Sequence, residues 1–84
     1  MPTLFHMTKR ITHGPAVRAM RGLVGIKQGE FAIRCDITPG YLANIEAGRK
    51  QPAPDVTRRM ATVLGVDLDA ITYVIDTTRN EVAA

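Results

Sequence analysis

Apolar residues recur at three- and four-residue intervals through most of the chain, and glycines and prolines cut that rhythm into short blocks. Val17, Met20 and Val24 share one face of a helix predicted from about Pro15 to Val24, with Arg18 facing out and Gly25 as the stop. Gly14-Pro15 marks its start, because the proline ring pre-sets the backbone angle of a first helical residue. Ile26 plugs the gap before a second helix that begins near Lys27 and turns Phe31, Ala32 and Cys35 inward. Asp36 closes the following turn, where a short polar side chain tolerates left-handed backbone better than most, and Ile37 anchors that turn. Thr38 is a good N-cap and Pro39 a good first residue for a third helix with Leu42 and Ile45 on its core side; Gly48 ends it. Beyond a loop stiffened by Pro52 and Pro54, a fourth helix from Pro54 or Asp55 buries Val56, Met60, Ala61 and Leu64 and stops at Gly65.

The two ends read differently. Asp67 caps a fifth helix in which Leu68, Ile71 and Ile75 keep helical spacing. The run Thr72-Tyr73-Val74-Ile75 is β-branched and aromatic, so residues 71–76 stay open between helix and strand. Residues 2–12 are poor in helix formers and suit an extended arm or a short strand, and the polar stretch 77–84 suits a flexible tail. The expected architecture is all-α: a compact five-helix bundle over residues 14–76, with an N-terminal arm or short strand over 1–13.

Eighty-four residues make one domain with a modest core. No apolar run approaches the ~20 residues of a membrane span, and no charged n-region precedes an apolar segment at the N-terminus. Cys35 is the single cysteine, which rules out an intramolecular disulfide. A cytoplasmic protein of bacterial or phage type is expected. The formal charge of +3 is unevenly spread. Residues 1–50 hold eight Lys and Arg against three acids, and residues 51–84 hold three Arg against five acids. A basic first half is what a polyanion-binding face requires, although surface solvation alone also produces one. His6 and His13 sit seven apart with no carboxylate nearby, which is neither metal-ligand spacing nor a catalytic triad. Cys35 reads as a small buried hydrophobe, and an enzyme is not expected.

The stretch Ile26-Lys27-Gln28-Gly29-Glu30-Phe31-Ala32, followed after a short gap by Thr38-Pro39-Gly40-Tyr41-Leu42-Ala43-Asn44-Ile45-Glu46-Ala47-Gly48-Arg49, resembles the Cro/C1-type (XRE-like) helix-turn-helix family. Gln28, Ala32, Tyr41, Glu46 and Gly48 fall at its signature positions. The resemblance implies a phage-repressor type of fold and a small transcriptional regulator, with a recognition helix over 38–47 in the major groove of a double-stranded DNA operator. It implies a homodimer, and no membrane, cofactor, metal or small-molecule ligand. By the same resemblance Gln28 anchors a phosphate and buttresses the third helix, Asn44 reads a base edge, and Arg21 pairs with Glu46 to fix how the recognition helix is presented. Two departures stand out. Asp36 replaces the usual turn glycine, and Pro39 and Gly40 stand where long polar side chains are common, so direct readout should be sparse and DNA shape should matter more.

Residue chemistry agrees with these roles without compelling them. The Asn44 amide can bond adenine with both atoms or donate to a phosphate. Tyr41 can reach a phosphate or a thymine methyl, or pack on a neighbouring helix. Thr38 and Gly40 stand on the exposed face of the third helix, and Lys27, Arg49 and Lys50 supply charge beside it, though each equally suits a solvated surface. Lys9 and Arg10 suggest a mobile basic arm able to enter the minor groove. Leu4, Phe5, Met7, Tyr73 and Val74 exceed the needs of a small core, which places a dimer surface around Ile71–Ile75 or on the arm pairing as a strand. The alternative is a protein-interaction module, such as an antitoxin with a helix-turn-helix fold.

Overall fold

Helical spacing governs the middle of the chain. Four α-helices are present among the described residues: α1 (Gly14–Val24), α2 (Gln28–Arg34), α3 (Pro39–Glu46) and α4 (Pro54–Leu64). The computed structural model describes residues 8–76 in full and the backbone of residues 4, 5, 79 and 80. Each helix sends its apolar stripe to one core: Val17 from α1, Phe31 and Ala32 from α2, Leu42 and Ile45 from α3, and Val56, Met60, Ala61 and Leu64 from α4. Cys35 and Ile71 complete it. Burial pushes the Cys35 thiol up to about 11, so at neutral pH it is a protonated, unreactive filler of this core.

The connections follow from local chemistry. The Thr38 side chain accepts from the Tyr41 N–H at 3.1 Å, satisfying a donor that the first turn of α3 would otherwise leave orphaned. Asp36 holds φ 59° between α2 and α3, the one non-glycine residue in left-handed backbone among the described residues. Val24, expected inside, is half exposed: it is the last residue of α1, and the chain turns away at Gly25 before anything can cover it. No described helix is long and apolar enough to cross a membrane.

The fifth helix does not form. Leu68–Ala70 makes one 3-10 turn, and the chain then extends as strand β3 (Thr72–Asp76). Only Ile71 of the expected stripe reaches full burial, while Ile75 is exposed. Strand β2 (Thr8–Thr12) supplies an antiparallel partner, so β-branched residues that fit poorly in a helix instead sit in a ladder running from Thr12 opposite Thr72 to Thr8 opposite Asp76. Two further short strands, β1 (Leu4–Phe5) and β4 (Arg79–Asn80), pair with Leu4 opposite Asn80, which keeps the same register. The fold is therefore four helices with a two-stranded ribbon built from both ends of the chain, rather than an all-α bundle. The tail expected over 77–84 lies outside the described residues except for Arg79–Asn80.

The basic arm is also not free over residues 8–12. Arg10 donates to Asp69 at 2.6 Å and to the Thr72 hydroxyl at 2.8 Å, which ties it across the ribbon. The base of the ribbon is fixed to the helical domain at Thr12. The Thr12 and Thr57 hydroxyls share a buried hydrogen bond of 2.9 Å. The Gln51 amide accepts from the Thr12 N–H at 2.9 Å and donates to the Thr12 carbonyl at 3.0 Å. Residues 1–3, His6 and Met7 of the proposed arm lie outside the described residues.

Candidate nucleic-acid interface

Glu46 organises this face. It sits at the last turn of α3 with its side chain 3% exposed, where an isolated carboxylate would be costly. Three donors satisfy it: Arg21 Nε to Oε2 at 2.8 Å, an Arg21 terminal nitrogen to Oε1 at 3.1 Å, and Gln28 Nε2 to Oε1 at 3.0 Å. The other terminal nitrogen of Arg21 donates to the Ile26 carbonyl at 3.0 Å. One buried carboxylate thus joins α1, the start of α2 and the end of α3, and the bidentate fork fixes their angles as a single contact could not. Gln28 spends one amide hydrogen on Glu46 and keeps a second donor for another partner.

The exposed half of α3 is nearly bare of long side chains. Pro39 and Gly40 are exposed, and a side chain added at Gly40 would meet nothing within 4 Å. The Thr38 hydroxyl accepts the cap bond and can still donate outward. Tyr41 is half-buried against the core, which favours packing over reach. Asn44 is half-buried, and its Oδ1 accepts from Arg49 Nε at 2.9 Å. Arginine carries only donors, so the amide oxygen must face it and the NH2 group points away. The backbone nitrogens of Arg49 and Lys50 both donate to the Asn44 carbonyl, at 2.9 and 3.2 Å, so the loop folds back onto the end of α3. Gln51, next in that loop, turns away to Thr12.

Charges are sorted across the molecule. Arg10, Arg34 and Arg59 are paired with Asp69, Glu30 and Asp55, and Arg59 also donates to the Cys35 carbonyl. The Arg59 guanidinium holds the Asp55 carboxyl below its usual range. Lys27, Arg49, Lys50 and Arg18 have no ion-pair partner among the described residues. Lys27 is the N-cap of α2, beside Gln28. Arg18 lines a cleft with Arg21, Gln28, Ala43, Glu46 and Ala47. Sequence reasoning places Arg18 only as an outward-facing helix residue; its position three before Arg21, on the same side of α1, is the available signal.

A family model described as a helix-turn-helix domain matches residues 14–72 of the chain. Among solved structures, the chain is similar to the clp gene regulator ClgR from Corynebacterium glutamicum, at 31% identity and a TM-score of 0.66. That match covers 68% of this chain and 62% of the ClgR chain, and a second ClgR structure matches at 31% identity and a TM-score of 0.64, covering 68% and 75%. The chain thus spans less than two thirds of the first ClgR chain. The restriction-modification controller protein C.AhdI from Aeromonas hydrophila shares the fold, with a TM-score of 0.65 at 21% identity over 68% of this chain and 86% of that one. No curated protein matches the chain.

Proposed function

The chain belongs to the family of helix-turn-helix domains, and from that premise we propose that it binds double-stranded DNA as a homodimeric transcriptional regulator of the phage repressor or Cro type, with α3 in the major groove. The observation that carries this reading is the sorting of charge. Arg10, Arg34 and Arg59 are neutralised by neighbours, whereas Lys27, Arg49, Lys50 and Arg18 gather around α3 and are left for a polyanion. Lys9 on β2 and Arg58 on α4 also lack an ion pair among the described residues, but each stands on an element away from α3.

In this reading Gln28 offers its second amide hydrogen to a phosphate, held in place by its bond to Glu46. Thr38 donates its hydroxyl to the backbone, and Gly40 lets the sugar-phosphate chain come close to α3. Tyr41 serves mainly to seat α3. Asn44 is the base reader. With Oδ1 held by Arg49 it presents donors only, which suit acceptors such as N7 and O6 of guanine. Bidentate recognition of adenine requires Arg49 to leave Asn44 for a phosphate. Titration of duplex binding against salt tests the assignment. Lys27→Ala, Arg49→Ala and Lys50→Ala should each flatten the slope of log K against log salt by about 0.9, without changing sequence preference. Arg58→Ala is the control, because Arg58 lines clefts that contain no α3 residue. An equal loss of slope in Arg58→Ala, or no loss in the other three, would remove the charge argument.

A further inference from the structure

We propose that two copies of this chain join through the outer edge of β3, in antiparallel register about Val74, to make one four-stranded sheet; the inference rests on the homodimer reading above. The ladder alternation identifies the edge. His13 N donates to the Ile71 carbonyl at 2.8 Å, and Thr12 gives both its backbone groups to Gln51. Residues 9, 11 and 13 therefore bond inward to 75, 73 and 71, while 8, 10 and 12 on β2 and 72 and 74 on β3 turn their N–H and C=O groups outward. A two-stranded ribbon is marginal in water and gains most from further strands.

The two edges are not equivalent. On β2 the base is occupied by Gln51, and a two-fold pairing centred on Lys9 or Arg10 sets a cation against its own copy. On β3, Tyr73, Val74 and Ile75 are 48%, 54% and 38% exposed, an apolar run unusual for a free strand edge. Centring on Val74 places Val74 opposite the partner's Val74, Tyr73 opposite the partner's Ile75, and Thr72 opposite the partner's Asp76. Centring on Asp76 would oppose two carboxylates, and centring on Tyr73 would bring Ile75 against the buried Ile71. The Val74 register opposes apolar to apolar on both faces of the sheet. Across one face the row reads Ile11, Tyr73, the partner's Ile75, the partner's Lys9; across the other it reads Arg10, Val74, the partner's Val74, the partner's Arg10. Cations thus stand toward the rims and apolar residues at the centre, the arrangement that buries apolar area while leaving charge in water.

A residue on a two-fold axis meets itself, so cysteine cross-linking reads the register. In a hydrogen-bonded antiparallel pair the Cα atoms lie about 5.5 Å apart, within disulfide range. Under mild oxidant, Val74→Cys should convert to a covalent dimer. Arg10→Cys should remain monomeric on a denaturing gel, and so should Thr72→Cys, whose copies would lie about 13 Å apart. The wild-type chain should not cross-link, since Cys35 is buried. Sedimentation and retention of duplex DNA at low salt are measured on the same reduced proteins. Cross-linking of the Arg10→Cys or Thr72→Cys variant in place of Val74→Cys would overturn the interface and leave DNA binding intact, as would a Val74→Cys protein that is dimeric in solution yet never links. A monomer that still retains DNA would overturn the interface and the dimer together; a protein that retains no DNA would overturn the functional reading, whatever its cross-linking.

Discussion

Glu46→Ala is expected to lose about 3–5 kcal/mol of stability and DNA affinity together, because it strands a nearly buried guanidinium and leaves Gln28 without its acceptor. Thermal unfolding followed by circular dichroism reads the first effect and duplex binding reads the second. The two can then be separated. Replacing both partners with apolar residues of similar volume, Arg21→Met with Glu46→Leu, removes the charge along with its counter-charge, and such pairs often cost little in stability. The double variant should recover most of the melting temperature. It should not recover full binding, since Gln28 loses the bond that orients it and α3 loses its bidentate tether to α1. An unchanged melting temperature in Glu46→Ala with binding lost would contradict a structural role for the pair. Full binding in the double variant would contradict its role in presenting α3 and Gln28.

Gly14→Ala should be comparably damaging for a different reason. Gly14 is the first residue of α1 and is buried, and a Cβ placed there would stand 2.0 Å from the Ile45 carbonyl oxygen and 2.9 Å from that of Glu46. Both obstacles are backbone, so no rotamer change relieves them. Either α1 must back away from the end of α3 or α3 must shift, and overpacking of this kind costs about 3 kcal/mol or more. For a domain this small, a loss of that size lowers the melting temperature by roughly 12–24 °C. Gly22, in the same helix, has nothing within 4 Å of a built Cβ. Gly22→Ala should therefore gain about 0.5–1 kcal/mol from helix propensity. Opposite signs for two Gly→Ala changes in one helix separate close approach from propensity; two losses of equal size would argue against close packing at Gly14.

The parts of the fold legible in the sequence are those set by neighbours along the chain. Pro15, Thr38 with Pro39, and Gly25, Gly48 and Gly65 fix helix ends through their own backbone limits, so α1 to α4 can be bounded locally. Asp36 is legible for the same reason. The ribbon is not, because whether Thr72–Asp76 forms a strand depends on Thr8–Thr12, about sixty residues away, and helical spacing of Leu68, Ile71 and Ile75 competes with β-propensity. Gly14 reads as a helix start, but the carbonyls it packs against come from α3 and leave no local mark. At the candidate site, the pairing of Arg21 with Glu46 is legible through family resemblance and not through spacing. The Asn44–Arg49 bond has no sequence signature because it forms only when the loop after α3 folds back, and it changes which atoms Asn44 can offer. Arg10 shows the converse: a basic residue in an apparent arm is spoken for by Asp69 and Thr72.

Selection of bound duplexes from a random pool tests most directly whether α3 reads double-stranded DNA. The expected result is enrichment of a two-fold symmetric sequence with half-sites about one helical turn apart, roughly 10 base pairs. Asn44→Ala should lose about 1–3 kcal/mol of discrimination at one position in each half-site while still retaining DNA at low salt. Retention of no duplex at low salt, or the same sequence enriched equally by Asn44→Ala, would contradict it.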